Sequence, residues 1–133
     1  MYSTLKVSAM TLLFGLITGC TMDNLSSHQI GHYSGINPCN DCPGILVDLN
    51  LKEKAQYHAL FKYMERNTSY QENGIWKIIT DEDAAGKQIQ VIKLTPFKSS
   101  SNTSYLLKNN TTLQLLDTLK LPIESSTLKK NVH

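Results

Sequence analysis

The chain is poor in net charge. Its 13 Lys and Arg against 11 Asp and Glu leave a formal charge of +2 over 133 residues. No basic stripe forms along it, so nucleic acid is not an expected partner. Cysteine is scarce as well, with three residues in all and a single C-x-x-C. A structural zinc clamp takes four ligands and would show a second such pair. Ser, His and Asp are present, but no nucleophile elbow surrounds any serine. The acidic cluster Asp81-Glu82-Asp83 lacks the spaced oxygens and glycine of a calcium loop, and reads as a charged hairpin tip. No stretch carries apolar residues at helical spacing, no segment repeats, and there is only one long apolar run.

That run is at the N-terminus, "MYSTLKVSAMTLLFGLITGC". Lys6 supplies a positive start and residues 7–17 form an apolar core. Its length matches the ~7–15 residues of a secretory signal and falls short of the ~20 that span a bilayer. Ile17-Thr18-Gly19-Cys20 resembles a bacterial lipobox, in which the cysteine is acylated and becomes the first residue. Residue 21 is Thr rather than Asp, which by the sorting pattern of such lipoproteins points to the outer membrane. Several acyl chains on one terminus give stable anchoring, since each buried methylene contributes ~0.8 kcal/mol. Residues 1–19 are thus expected to be a removed signal peptide, and residues 20–29 a lipidated N-terminus and polar tether. With Lys6 gone, 12 of the 13 basic residues face 11 acidic ones.

From Ile30 onward the pattern has a period of two. "ILVDLNL" puts Ile45, Val47, Leu49 and Leu51 on one face; "AQYHALFKYM" puts Tyr57, Ala59, Phe61 and Tyr63 on one face. "KEK" makes a tight turn between them. Asn73-Gly74 reads as a further break, with "GIWKII" opening a third strand. Residues 81–87 read as a solvated hairpin loop, "IQVIKLT" as a strand ending at Pro96, and "YLLKN" and "TLQLLD" as a pair joined across Asn109-Asn110. Short strands at near-regular spacing predict an all-β fold, a small antiparallel meander closed or half-closed into a β-barrel. Trp76 and the tyrosines are expected in its core or lining. The domain is expected to span residues 30–123, followed by a loosely ordered tail over 124–133.

The chemistry concentrates in "PCNDCPG", residues 38–44. Once Cys20 carries lipid, Cys39 and Cys42 have no third thiol to compete in an oxidising compartment. A catalytic C-x-x-C lies at a helix N-terminus, which lowers a thiol pKa; here Pro43-Gly44 and a strand follow. As a metal clamp, two thiolates can grip Cu(I), with Met22, His28 and His32 as further candidate ligands. As a disulfide, the pair would pin a turn and contribute no more than the ~3 kcal/mol estimated for a longer loop. Asp41 is expected to make an Asx-type turn to backbone amides, with Gly44 supporting the turn. Carboxylate oxygen is a hard donor beside soft sulfur.

"HYSGINPCNDCPGI" resembles the signature of the N-terminal domain of NlpE-type copper resistance lipoproteins, through Tyr33, Gly35, Pro38, Cys39, Asp41, Cys42, Gly44 and Ile45. Gly74-Ile75-Trp76 and Leu115-Leu116-Asp117 match later family features in order. The resemblance covers about residues 31–123. Asn37 stands where the family commonly has an apolar residue, and Asn40 where a small one is frequent. The chain stops before the second, OB-like domain of the full-length family member. The resemblance implies a lipocalin-like, half-open barrel, lipid attachment at Cys20, and a metal or redox site at Cys39 and Cys42. It further implies a non-enzymatic outer-membrane lipoprotein facing the periplasm, which serves copper tolerance or envelope-stress sensing. Its implied cofactor is copper(I), and its implied partner a Cpx-like sensor kinase system. The alternative is a lipocalin-like module holding a small apolar ligand, with the cysteines as a structural disulfide only.

Overall fold

The computed structural model describes residues 27–131. Eight strands follow one another: β1 (Gly31–Asn37), β2 (Ile45–Leu51), β3 (Gln56–Tyr63), β4 (Thr68–Glu82), β5 (Gln88–Pro96), β6 (Thr103–Asn109), β7 (Thr112–Leu116) and β8 (Pro122–Lys130). Each pairs antiparallel with the next, and β8 returns to β1, so the meander is a closed barrel rather than the half-open form the resemblance implies. The closing seam is narrow: Tyr33 faces Lys130, Ser34 faces Lys129 and Gly35 faces Leu128.

Alternation explains the inside. Val47, Leu49 and Leu51 from β2 meet Tyr57 and Ala59 from β3, and Trp76, Ile92, Leu94, Tyr105, Leu113 and Leu128 complete one buried cluster. Burying each such aliphatic chain contributes about 1.5–3 kcal/mol. Lys52, Glu53 and Lys54 fall in the β2–β3 turn, where the Lys52 amide donates to the Gln56 carbonyl at 2.8 Å. At the β4–β5 hairpin the Asp83 carboxylate accepts the amides of Ala85 and Lys87, both at 2.9 Å. Its Oδ1 is committed to the turn, and the loop is shorter than the 81–87 expected, because Asp81 and Glu82, at the end of β4, still pair with β5.

Three expectations are corrected. Asn73-Gly74 does not break the chain: β4 runs through it, and Gly74 is buried. A Cβ there would collide with the Thr95 carbonyl oxygen and lie 2.7 Å from Pro96 Cα and Tyr57 Cε1, so the glycine permits close strand approach rather than a turn. The segment expected to be a loose tail from residue 124 is largely β8, and its Ser126 and Leu128 are fully buried. Barrel closure orders it, because β8 satisfies the open edges of both β1 and β7. The expected tether also ends sooner than residue 29. Gln29 is 3% exposed, and the buried Tyr33 hydroxyl donates to its backbone oxygen at 3.0 Å. Lys130 donates to the His28 carbonyl at 3.0 Å.

In an up-and-down barrel the connections after odd-numbered strands share one end. That rim carries residues 38–44, 64–67, 97–102 and 117–121. Near the opposite end, the Trp76 indole N–H donates to the Lys52 carbonyl at 3.0 Å.

Candidate functional site

The C-x-x-C lies on the rim, in the β1–β2 connection. Pro38 cannot extend the β1 ladder, and Pro43-Gly44 leads straight into β2, so the cysteines sit in an irregular turn. Cys39 and Cys42 are joined by a disulfide with Cα atoms 5.3 Å apart, and both are half-buried. The β2 strand starts at Ile45, so no helix follows the pair and no helix dipole activates a thiol there.

Two contacts stitch this turn to the next rim connection. The Arg66 guanidinium donates to the Asp41 carboxylate at 2.6 Å and to the Asp41 carbonyl at 3.3 Å. The Met64 amide donates to the Gly44 carbonyl at 3.0 Å. Gly44 is buried, and a Cβ there would lie 2.6 Å from Ile36 Cγ2 and 3.3 Å from Met64 Sδ. Asp41 thus has a partner beyond the turn's own backbone amides, the Arg66 guanidinium. Its carboxyl is held below 3.8 chiefly by the hydrogen bond and charge of Arg66, while its own backbone amide adds the smallest share.

Among the described residues, Cys39, Asp41 and Cys42 form the one group of metal-capable side chains, with ligand atoms within 4.8 Å of one another. The sulfurs are bonded to each other, so this donor set fits a soft ion only after the disulfide opens. The structure does not bring the other candidate ligands there. His32 lies toward the opposite end of β1, 3.6 Å from the Asp48 carboxylate, about 16 Å of strand from Asn37. His28 is exposed beyond that end of β1. Cys20 and Met22 fall outside the described residues.

Pro38 and Asn37 also border a cavity of about 540 Å³, whose lining includes Phe61, Tyr70, Glu72 and Tyr105. Within the barrel, Asn37 Nδ2 donates to the Tyr105 hydroxyl at 3.1 Å, and the fully buried Ser126 hydroxyl donates to Asn37 Oδ1 at 2.6 Å. Burial pushes the Tyr105 phenol up to about 12. Sequence reasoning missed Arg66, Met64 and this network. One signal was available: Arg66 is the chain's one arginine among 13 basic residues. Its planar fork suits a fixed carboxylate better than a lysine does.

A closed eight-stranded antiparallel barrel, rimmed by a C-x-x-C disulfide near a cavity of mixed aromatic, aliphatic and polar lining, defines the class: a small lipocalin-like barrel domain with a cysteine-bearing mouth. The chain belongs to the NlpE N-terminal domain family, whose model matches residues 33–126. Among solved structures, it is similar to a Shewanella oneidensis protein described as a lipoprotein, at 25% identity and a TM-score of 0.58, covering 79% of this chain and 91% of that one. It is also similar to the Cpx pathway activator NlpE from Escherichia coli, at 26% identity and a TM-score of 0.53, over 77% of this chain. The chain spans about half, 48%, of that protein's length. No curated protein matches it.

Proposed function

We propose that this chain is a non-enzymatic lipoprotein of the outer membrane, anchored through Cys20 and facing the periplasm. Its rim turn reports on envelope conditions through the state of Cys39 and Cys42. The observation that carries the reading is the stitched disulfide: Asp41–Arg66 and Gly44–Met64 tie it to the β3–β4 connection. Opening the S–S bond is thus coupled to the shape of the barrel mouth. Membership of the NlpE family and likeness to the Cpx pathway activator support a role in envelope-stress signalling through a Cpx-like sensor kinase.

Once reduced, Cys39 and Cys42 would supply two thiolates to Cu(I), which accepts two or three soft ligands. Asp41, engaged by Arg66, would shape the turn rather than ligate. No helix begins after the pair, since β2 follows at Ile45, which argues against thiol–disulfide catalysis.

The test is a Cu(I) titration of the reduced, lipid-free domain begun at residue 21, so that Cys20 offers no third thiol, against a chromogenic competitor. Tight binding of one ion, lost in the Cys39→Ser/Cys42→Ser double variant, is expected. Absence of binding by reduced protein would remove copper from the reading and leave a structural or redox-reporting disulfide. Anchoring is tested separately: Cys20→Ala is expected to leave the outer-membrane fraction, and its retention there would refute the lipid anchor.

A further inference from the structure

The barrel mouth holds a feature that the disulfide turn does not use. Glu72 points its carboxylate into the barrel, half-buried, at the wall of the 540 Å³ cavity, a volume in the range of small-ligand sites. Its one hydrogen bond among the described residues comes from the Tyr57 hydroxyl at 2.6 Å. No Lys, Arg or His of the described residues forms an ion pair with it. An anion in a half-buried, aromatic-lined recess costs desolvation energy that one phenol donor offsets only in part.

The surrounding groups do not neutralise it. Of the other charged residues lining the cavity, Asp81 and Lys120 pair with each other at 2.9 Å, and the Asp117 carboxylate accepts the amides of Leu119 and Leu121 at 2.8 and 2.9 Å. The lining thus carries three carboxylates to one ammonium. The phenols are neutral at physiological pH: burial pushes Tyr70 and Tyr105 up to about 12, and burial and Glu72 push Tyr57 higher still. Beside Glu72 stands an aromatic wall. Phe61 and Tyr70 stack with centroids 4.8 Å apart, and Tyr63 lies 6.0 Å from Tyr70. Ring faces attract cations and apolar chains alike, while they do nothing for anions.

From this arrangement we propose that the cavity is a binding site for an organic ammonium bearing an apolar body, whether a free amphiphilic amine or a lipid headgroup. Glu72 pairs with the ammonium, the Phe61/Tyr70 wall takes the adjoining methyl or methylene groups, and the rim turn at Pro38 borders the entrance. Neither Cys39 nor Cys42 lines the cavity, and Glu72 is no part of the thiol chemistry, so the outcome of this test and that of the copper titration can be told apart.

The experiment is calorimetric titration of the lipid-free domain with decyltrimethylammonium below its micellar concentration, with decyl sulfate and decanol as matched probes. The cation is expected to bind at least about tenfold more tightly than either control, a difference of about 1.4 kcal/mol. Glu72→Gln keeps an oxygen to accept the Tyr57 hydroxyl, and is expected to remove that preference while Trp76 emission and thermal unfolding stay close to the parent's. A parallel arm measures sedimentation with vesicles of phosphatidylethanolamine against phosphatidylglycerol. Glu72-dependent binding to the former alone would assign the ammonium to a headgroup and support the proposal. Equal binding of decanol and the cation, no binding of any probe or vesicle, or an unchanged cation preference in Glu72→Gln would overturn it. If that variant does not fold, the ranking of the three probes on the parent protein decides alone.

Discussion

Asn37 is the place to press hardest, because its side chain joins three strands inside the barrel. It donates to Tyr105 on β6 at 3.1 Å and accepts from Ser126 on β8 at 2.6 Å, while itself only 8% exposed. Replacing it with alanine removes the acceptor of the Ser126 hydroxyl, which is fully buried and donates to no other side chain among the described residues. An unsatisfied buried hydroxyl costs about 1–3 kcal/mol. The Tyr105 hydroxyl loses a donor but borders the cavity, so water can replace part of that bond and its share is about 0.5–1.5 kcal/mol. Asn37→Ala should therefore destabilise the domain by about 2–4 kcal/mol, with a fall in Tm of about 10–25 °C for a domain of this size. The assay is urea unfolding followed by the single tryptophan, Trp76, which is 4% exposed. Ser126→Ala run alone and with Asn37→Ala closes the cycle. Since alanine at 126 removes the stranded donor, the double variant should lose about 1 kcal/mol less than the two single losses added together. Strict additivity, or a loss below about 0.5 kcal/mol for Asn37→Ala, would refute the account of this network as the internal tie of the closing strands.

Three further outcomes follow from the same structure. Gly74→Ala should cost about 3 kcal/mol, the upper end for overpacking, because the obstacle is the backbone of β5 rather than a movable side chain; denaturation midpoints near the parent's would contradict the close approach. A chain ending at residue 121 should fail to fold, as judged by lost near-ultraviolet dichroism, since it forfeits β8, buried Leu128 and Ser126, and the pairing of both β1 and β7. Arg66→Ala should let the Asp41 carboxyl rise toward 3.8 from its lowered position, read by carboxyl NMR titration. The sign follows from linkage: a depressed folded pKa favours folding above the unfolded value and loses that contribution as pH falls through the folded one. The stability difference between parent and variant should thus be fully present above pH about 4 and vanish as pH falls through the lowered Asp41 value, and an unchanged Asp41 titration would show that the pair does not persist in solution.

The rim has two chemistries side by side. One is covalent and redox-dependent, in the turn of residues 38–44; the other is electrostatic, around Glu72 inside the mouth. Asn37 and Pro38 belong to the chain that leads into the disulfide, and both line the cavity. These cavity-edge residues are thus the immediate chain neighbours of Cys39.

The period-two pattern of residues 45–51 and 56–63 made two strands and their turn legible from sequence, because each inward position there is apolar or aromatic and the partners are adjacent in the chain. The single C-x-x-C between proline residues was equally plain, as was its family signature. What the pattern could not carry was closure. In β8, "PIESSTLKK", the fully buried inward residues are Ser126 and Leu128, so hydrophobic alternation is nearly silent and the segment passes for a tail. Gly74 looked like a turn because its reason lies across the sheet in the Thr95 carbonyl, 21 positions away in sequence. Asn37 and Glu72 face inward against their polarity, and each is explained only by a partner on another strand: Tyr105 and Ser126, far away in the chain, for the one, and Tyr57 on the neighbouring β3 for the other. Local composition decides which segments become strands, since a strand's faces are set by its own alternation. Which polar groups can be buried, and whether the last strand finds the first, is decided by the register around the barrel, which brings together hydrogen-bond partners such as Asn37 and Ser126, 89 residues apart.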